Sequence, residues 1–91
     1  MSRIRKPAPF NAVREAFPLR LRELRRRYGQ AKGVSVSQAS FARLLGIDPE
    51  RYGSYERGGR EPNFTVLVSL RRVTGVSLDQ LICGDGATPK R

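Results

Sequence analysis

From Leu19 to Ile82 the apolar residues return every three or four positions, the interval of a helix with one buried face. In LRLRELRRRYG, Leu21, Leu24 and Tyr28 recur at this spacing and the arginines fall largely on other faces. Phe41, Ala42 and Leu45 share one face of SQASFARLLG, and Phe64, Leu67, Leu70 and Val73 do so in FTVLVSLRRVTG. Between them lies a shorter segment whose inner stripe is Tyr52 and Tyr55, with Glu56 four residues from Tyr52. A last helix carries Leu78, Leu81 and Ile82.

Polar residues and glycines punctuate this pattern. Ser37, Asp48, Asn63 and Ser77 each stand where a side-chain oxygen can accept from the free N–H groups of a first turn. Pro49 suits the first position of the helix that Asp48 opens. Gly46 can take the left-handed conformation after one helix, Arg57, Gly58 and Gly59 end the next, and Gly75 stops the fourth. Ile47, apolar within a turn, reads as a buried plug. At the N-terminal side, Asn11 caps a turn or two that Pro18 ends, and Pro18 then begins the next helix, with Gly29 as a possible stop. QAKGVSVS reads as a linker. No segment reads as a convincing strand. The expectation is an all-α fold of five main helices: residues 1–17 a basic flexible arm with a short helix, 18–83 the folded domain, and 84–91 a frayed tail.

Charge adds a partner to this picture. The 91 residues carry 18 Lys and Arg against 8 Asp and Glu, and most of the formal +10 falls in the stretch ending at Arg27. Such a surface favours polyanions: DNA, RNA or an anionic membrane face. Solubility alone is the plainer explanation. Catalysis is not expected, because the chain has no His, its lone Cys83 has no evident base, and its acids fall at caps or in ion pairs. One Cys and no His also leave no zinc set and no internal disulfide, so no cofactor is expected and a reducing, cytoplasmic compartment is.

Residues 38–57 form two short helices joined through Gly46, Ile47 and Asp48, a helix-turn-helix pattern. Ala42 is small where the helices cross, and Ile47 and Tyr52 fill the angle between them. A helical hairpin with no ligand can use the same residues. It does not require the second helix to be short, nor its outer face to lack large apolar residues.

SQASFARLLGI, YGSYERGGREP and GVSLDQLI together resemble the phage-repressor-like helix-turn-helix family, which includes Cro and the xenobiotic-response-element regulators. The resemblance runs from about Leu19 to Ile82 and implies a compact lambda-repressor-like domain. It further implies a sequence-specific, double-stranded DNA-binding transcriptional regulator of repressor type, bacterial or phage-encoded and nucleoid-associated. Such proteins bind near-palindromic operators as homodimers, some with a partner protein such as a toxin.

Position by position, the resemblance assigns base reading to Pro49, Glu50 and Ser54, with Arg51 on their flank, and phosphate binding to Ser37, Gln38, Arg43, Arg57 and Arg60, Gln38 also buttressing the reading helix. It makes Arg25 and Glu56 a structural ion pair. Two features depart from the family pattern. Pro49 and Glu50 replace the usual amides: proline can only touch a thymine methyl or sugar, while glutamate can accept from a cytosine amino group. The link GQAKGVSVSQ is also longer than usual, and Lys32 in it could add a phosphate contact. Several alternatives stand open: Glu50 as reader or as partner of the positive helix end, Arg43 as anchor or solvated charge, and Arg3, Arg5 and Lys6 as a minor-groove arm or plain disorder. Gly53 suggests close approach of backbone to DNA. Leu78, Leu81 and Ile82 are either a dimer surface or internal core.

A second functional class is a protein-interaction module, an antitoxin or adaptor using the helix-turn-helix as scaffold; Pro49 and Glu50 favour it. Sequence-neutral nucleic-acid binding is a third. Phe41, Tyr52 and Tyr55 sit at core spacing and leave no stacking platform for single strands.

Overall fold

The computed structural model describes residues 9–84, with side chains described from Arg14 onward. Among these residues the fold is all-α: α1 (Pro9–Lys32), α2 (Gln38–Leu45), α3 (Pro49–Arg57), α4 (Phe64–Thr74) and α5 (Leu78–Cys83). The basic positions Arg3, Arg5 and Lys6 and the tail from residue 85 lie outside the described residues. None of these helices is long and apolar enough to cross a membrane.

Four of the five expected N-caps are made; the fifth, Asn11, lies inside a helix that begins at Pro9. Ser37 accepts from Ser40 N, Asp48 from Glu50 N and Arg51 N, Asn63 from Val66 N, and Ser77 from Gln80 N. Gly46 follows α2 at φ 76° and donates to Ala42 O and Arg43 O, which turns the chain sharply into α3.

The N-terminal third differs from the sequence expectation. Pro18 does not divide two helices: α1 runs through it for 24 residues, across the boundary expected at residue 18. A proline inside a helix removes one backbone hydrogen bond and costs ~3 kcal/mol or more. Tertiary packing offsets this cost. Phe17 and Leu21, on either side of Pro18, are buried in the core, and the proline ring lies beside the end of α3, its Cγ 3.4 Å from where a Cβ on Gly58 would stand.

Gly29 is likewise not a stop. The helix continues to Lys32 and turns at Gly33, φ 76°. Gly29 serves the returning chain instead, since a Cβ there would stand 2.6 Å from Val34 O. The close passage is fixed by Val34 N donating to Gly29 O at 2.9 Å.

α1 packs against α3 and α5, and α2 packs against α3 and α4. Phe17 and Leu21 of α1, Phe41, Ala42 and Leu45 of α2, Tyr52 and Tyr55 of α3, Val66 and Leu70 of α4, and Leu81 of α5 form one core. Leu81 is therefore an internal residue and not part of a dimer surface, with Leu78 packed against the same core. Ile47 is partly buried against it, plugging the turn between α2 and α3.

Candidate nucleic-acid interface

The two faces of α3 have opposite environments. Tyr52, Gly53, Tyr55 and Glu56 are buried, while Pro49, Glu50, Arg51 and Arg57 are exposed and Ser54 is half-buried. The inner face is held by aromatic contacts. Tyr28 of α1 meets Phe41 of α2 at 5.6 Å between ring centroids, Phe41 meets Tyr52 of α3 edge-on at 5.6 Å, and Tyr52 meets Tyr55 edge-on at 6.4 Å. Each such pair contributes ~0.5–1.5 kcal/mol beyond its buried area, so the orientation of α3 is tied to both preceding helices.

Glu56, 1% exposed, anchors a second set of ties. Arg25 donates through Nε to Oε2 at 2.7 Å and through Nη2 to Oε1 at 3.0 Å. Gln38 Nε2 donates to Oε1 at 2.9 Å, and the Tyr52 hydroxyl donates to Oε2 at 2.5 Å. Arg25 also donates through Nη1 to Val36 O at 2.8 Å, so one guanidinium joins α1, the linker and α3. Burial pushes the Glu56 carboxyl upward, but the hydrogen bonds from Arg25, Tyr52 and Gln38 and the guanidinium charge outweigh it and hold the group below the usual carboxylate range. Burial, then the bond to Glu56, raises the Tyr52 phenol, which stays protonated and donating.

No spacing rule relates Gln38 and Glu56, 18 residues apart on different helices; the resemblance makes Gln38 a buttress of the reading helix, and this bond is the tie. The bond between Tyr52 and Glu56 does have a local signal, since residues four apart on a helix are neighbours.

On the outer face, Asp48 Oδ2 accepts from the backbone N–H groups of Glu50 and Arg51, each at 3.1 Å. Asp48 is thus engaged as a cap. Among the described residues, the side chains of Glu50 and Arg51 make no hydrogen bond or ion pair. The Ser54 hydroxyl lies beside the following loop, 3.2 Å from the place of a Cβ on Gly59. Arg43 and Arg60 are exposed, on α2 and in the loop after α3. Ser37 is also exposed and its hydroxyl is shared with Ser40.

Gly53 is placed differently from the sequence expectation. It is buried, and a Cβ on it would stand 3.0 Å from Arg57 Nη1 and 3.3 Å from Gln38 Oε1. The space left by the missing side chain is filled by these two protein groups and is not an opening toward DNA.

A short helix bearing an open polar outer face, fixed from behind by a preceding short helix and a sharp glycine turn, defines a helix-turn-helix unit. The chain matches the helix-turn-helix family model over residues 31–81, more than half its length, and belongs to that family, of Cro/C1 type. It is 37% identical over 54 residues to the uncharacterized HTH-type transcriptional regulator YqaE of Bacillus subtilis strain 168, a match over 59% of this chain. It is 43% identical over 51 residues, 56% of this chain, to the SPbeta prophage-derived uncharacterized HTH-type transcriptional regulator YonR of the same organism. Each match takes in 47% of the relative, so the chain spans about half the length of the curated relatives it matches. No solved structure matches it.

Proposed function

We propose that the chain is a sequence-specific, double-stranded DNA-binding transcriptional regulator of repressor type that places α3 in the major groove. The observation that carries this reading is the asymmetry of α3. Its inner residues are locked by the aromatic contacts and by Glu56, while Glu50 and Arg51 stand exposed with no protein partner among the described residues. Polar side chains kept free on a rigid short helix are what reading base edges requires.

In this reading Pro49, Glu50, Arg51 and Ser54 meet the bases. Glu50 accepts from a cytosine amino group, and Arg51 donates to guanine or to a phosphate. Ser37, Gln38, Arg43, Arg57 and Arg60 meet phosphates and supply most of the affinity, so binding weakens steeply with salt. The protein acts as a homodimer on a near-palindrome with half-sites ~34 Å apart. The names of the two relatives, both HTH-type transcriptional regulators, support the regulatory role.

Selection from random duplex DNA tests the proposal. An enriched motif with dyad symmetry and a half-site spacing of one helical turn is expected. Recovery of unenriched sequence would refute sequence-specific binding, and an enriched motif without symmetry would refute the homodimer.

A further inference from the structure

The exposed arginine at the end of α3 does not reach away from the helix. Its Nη1 lies 3.0 Å, and its Cζ 4.0 Å, from the place a Cβ on Gly53 would take, so the side chain folds back one turn along α3. Gln38 Oε1 lies 3.3 Å from the same point. This back-folded position is not explained by helix capping. The carbonyls of Ser54 and Tyr55, in the last turn of α3, are taken by the N–H of Gly58, and the Arg57 side chain makes no hydrogen bond or ion pair among the described residues. Its neighbour Glu56 is already bonded to Arg25, Tyr52 and Gln38.

The guanidinium therefore sits with its donors unspent, beside the first residue of α2. Gln38 there donates from Nε2 to Glu56 and turns its oxygen toward Gly53. Of the two amide hydrogens on Gln38 Nε2 one is spent on Glu56, whereas the Arg57 guanidinium spends none of its donors on the described residues.

We propose that Gly53 is a positioning residue for Arg57: with no side chain, it lets the guanidinium lie back along α3 beside Gln38, where its unspent donors meet a phosphate of the nucleic-acid backbone. This deepens, and rests on, the DNA-binding reading above. Any larger residue at position 53 displaces Arg57 from that place. Ala is the sharpest probe because it adds one carbon and favours the helix.

The experiment is a salt series of binding to the selected duplex and to an unrelated duplex, for the wild type, Gly53→Ala, Arg57→Ala and the double variant. Arg57→Ala is expected to weaken binding to both duplexes about tenfold, as loss of one charge-assisted hydrogen bond does. It lowers the slope of log K against log salt by about one. Gly53→Ala is expected to reproduce a large part of both effects with helicity and thermal midpoint unchanged or raised, because the atoms in its way are the ends of side chains. The double variant is expected to bind like Arg57→Ala alone.

A Gly53→Ala protein with wild-type salt slope overturns the proposal, and one with altered base preference at constant slope shows that position 53 faces the bases. Additive losses in the double variant overturn it too, as does loss of helicity in Gly53→Ala. If the wild type binds no duplex, the DNA-binding reading fails first. That result is distinct from a wild type that binds while Gly53→Ala and Arg57→Ala bind equally well.

Discussion

Arg25 and Arg26 are neighbours on α1, each hydrogen-bonded to a glutamate, yet their removal should have very different consequences. Arg25 is 19% exposed and Glu56 is fully shielded, with bonds of 2.7 and 3.0 Å between them. Arg25→Ala leaves a buried carboxylate whose remaining cation, the exposed Arg22, stands 4.0 Å away, with only the Tyr52 and Gln38 donors in hydrogen-bonding contact. Breaking a buried pair in this way costs ~3–5 kcal/mol, and the partial exposure of Arg25 favours the lower end. Domains of this size have ~5–14 kcal/mol in total, and each kcal/mol moves the thermal midpoint ~4–8 °C. A fall of ~12 °C or more is therefore expected for Arg25→Ala.

Arg26→Ala breaks a pair whose members are both well exposed, 57% and 41%, and solvent screens it to near insignificance. Its midpoint should stay within the scatter of the wild type. Thermal and urea denaturation followed by far-ultraviolet circular dichroism measures both. Equal midpoints for the two variants would refute the claim that the Glu56 cluster holds α3 to α1. A double variant, Arg25→Met with Glu56→Met, separates lost pairing from a stranded charge: replacing both groups by apolar side chains should recover much of the loss.

Three further outcomes follow from single contacts. Gly29→Ala should destabilise by ~1–3 kcal/mol through overpacking, because the new Cβ meets Val34 O at 2.6 Å; urea midpoints check this, and a gain would mean that the linker does not pass there. Asp48→Ala should cost ~1 kcal/mol by stranding the N–H groups of Glu50 and Arg51, read from the same midpoints. Stability should also fall in acid. Glu56 is held below its unfolded value, so its contribution is present above the ordinary glutamate range of about 4.3 and is lost as pH falls through the folded value. Urea titrations between about pH 7 and 3 should show this loss in the wild type and a smaller one in Glu56→Gln.

The parts of the fold written in short-range signals were legible in the sequence. Ser37, Asp48, Asn63 and Ser77 each cap a helix through a bond spanning two or three residues, and such bonds depend on little beyond local order. Pro18 defeats a local reading because its breaking effect is local, whereas its compensation is tertiary: Phe17 and Leu21 enter a core completed by residues up to Leu81. Gly29 and Gly53 do so for the same reason. A Cβ on either would meet groups that helix periodicity does not place: Val34 O of the returning chain at Gly29, and the back-folded Arg57 Nη1 together with Gln38 Oε1 of α2 at Gly53. The contact between Arg25 and Glu56 spans 31 residues, and the resemblance to a family indicated it where spacing did not.

The central claim is that α3 turns free polar side chains toward base edges while phosphate contacts lie elsewhere. Random-duplex selection with a triple variant, Glu50→Ala, Arg51→Ala and Ser54→Ala, tests it most directly when set beside the same selection with the wild type. The predicted result is a motif in the wild type that disappears or changes at the positions facing α3 in the variant, with the phosphate-driven binding to unrelated duplex largely kept. Enrichment of the same motif by both proteins would contradict the account.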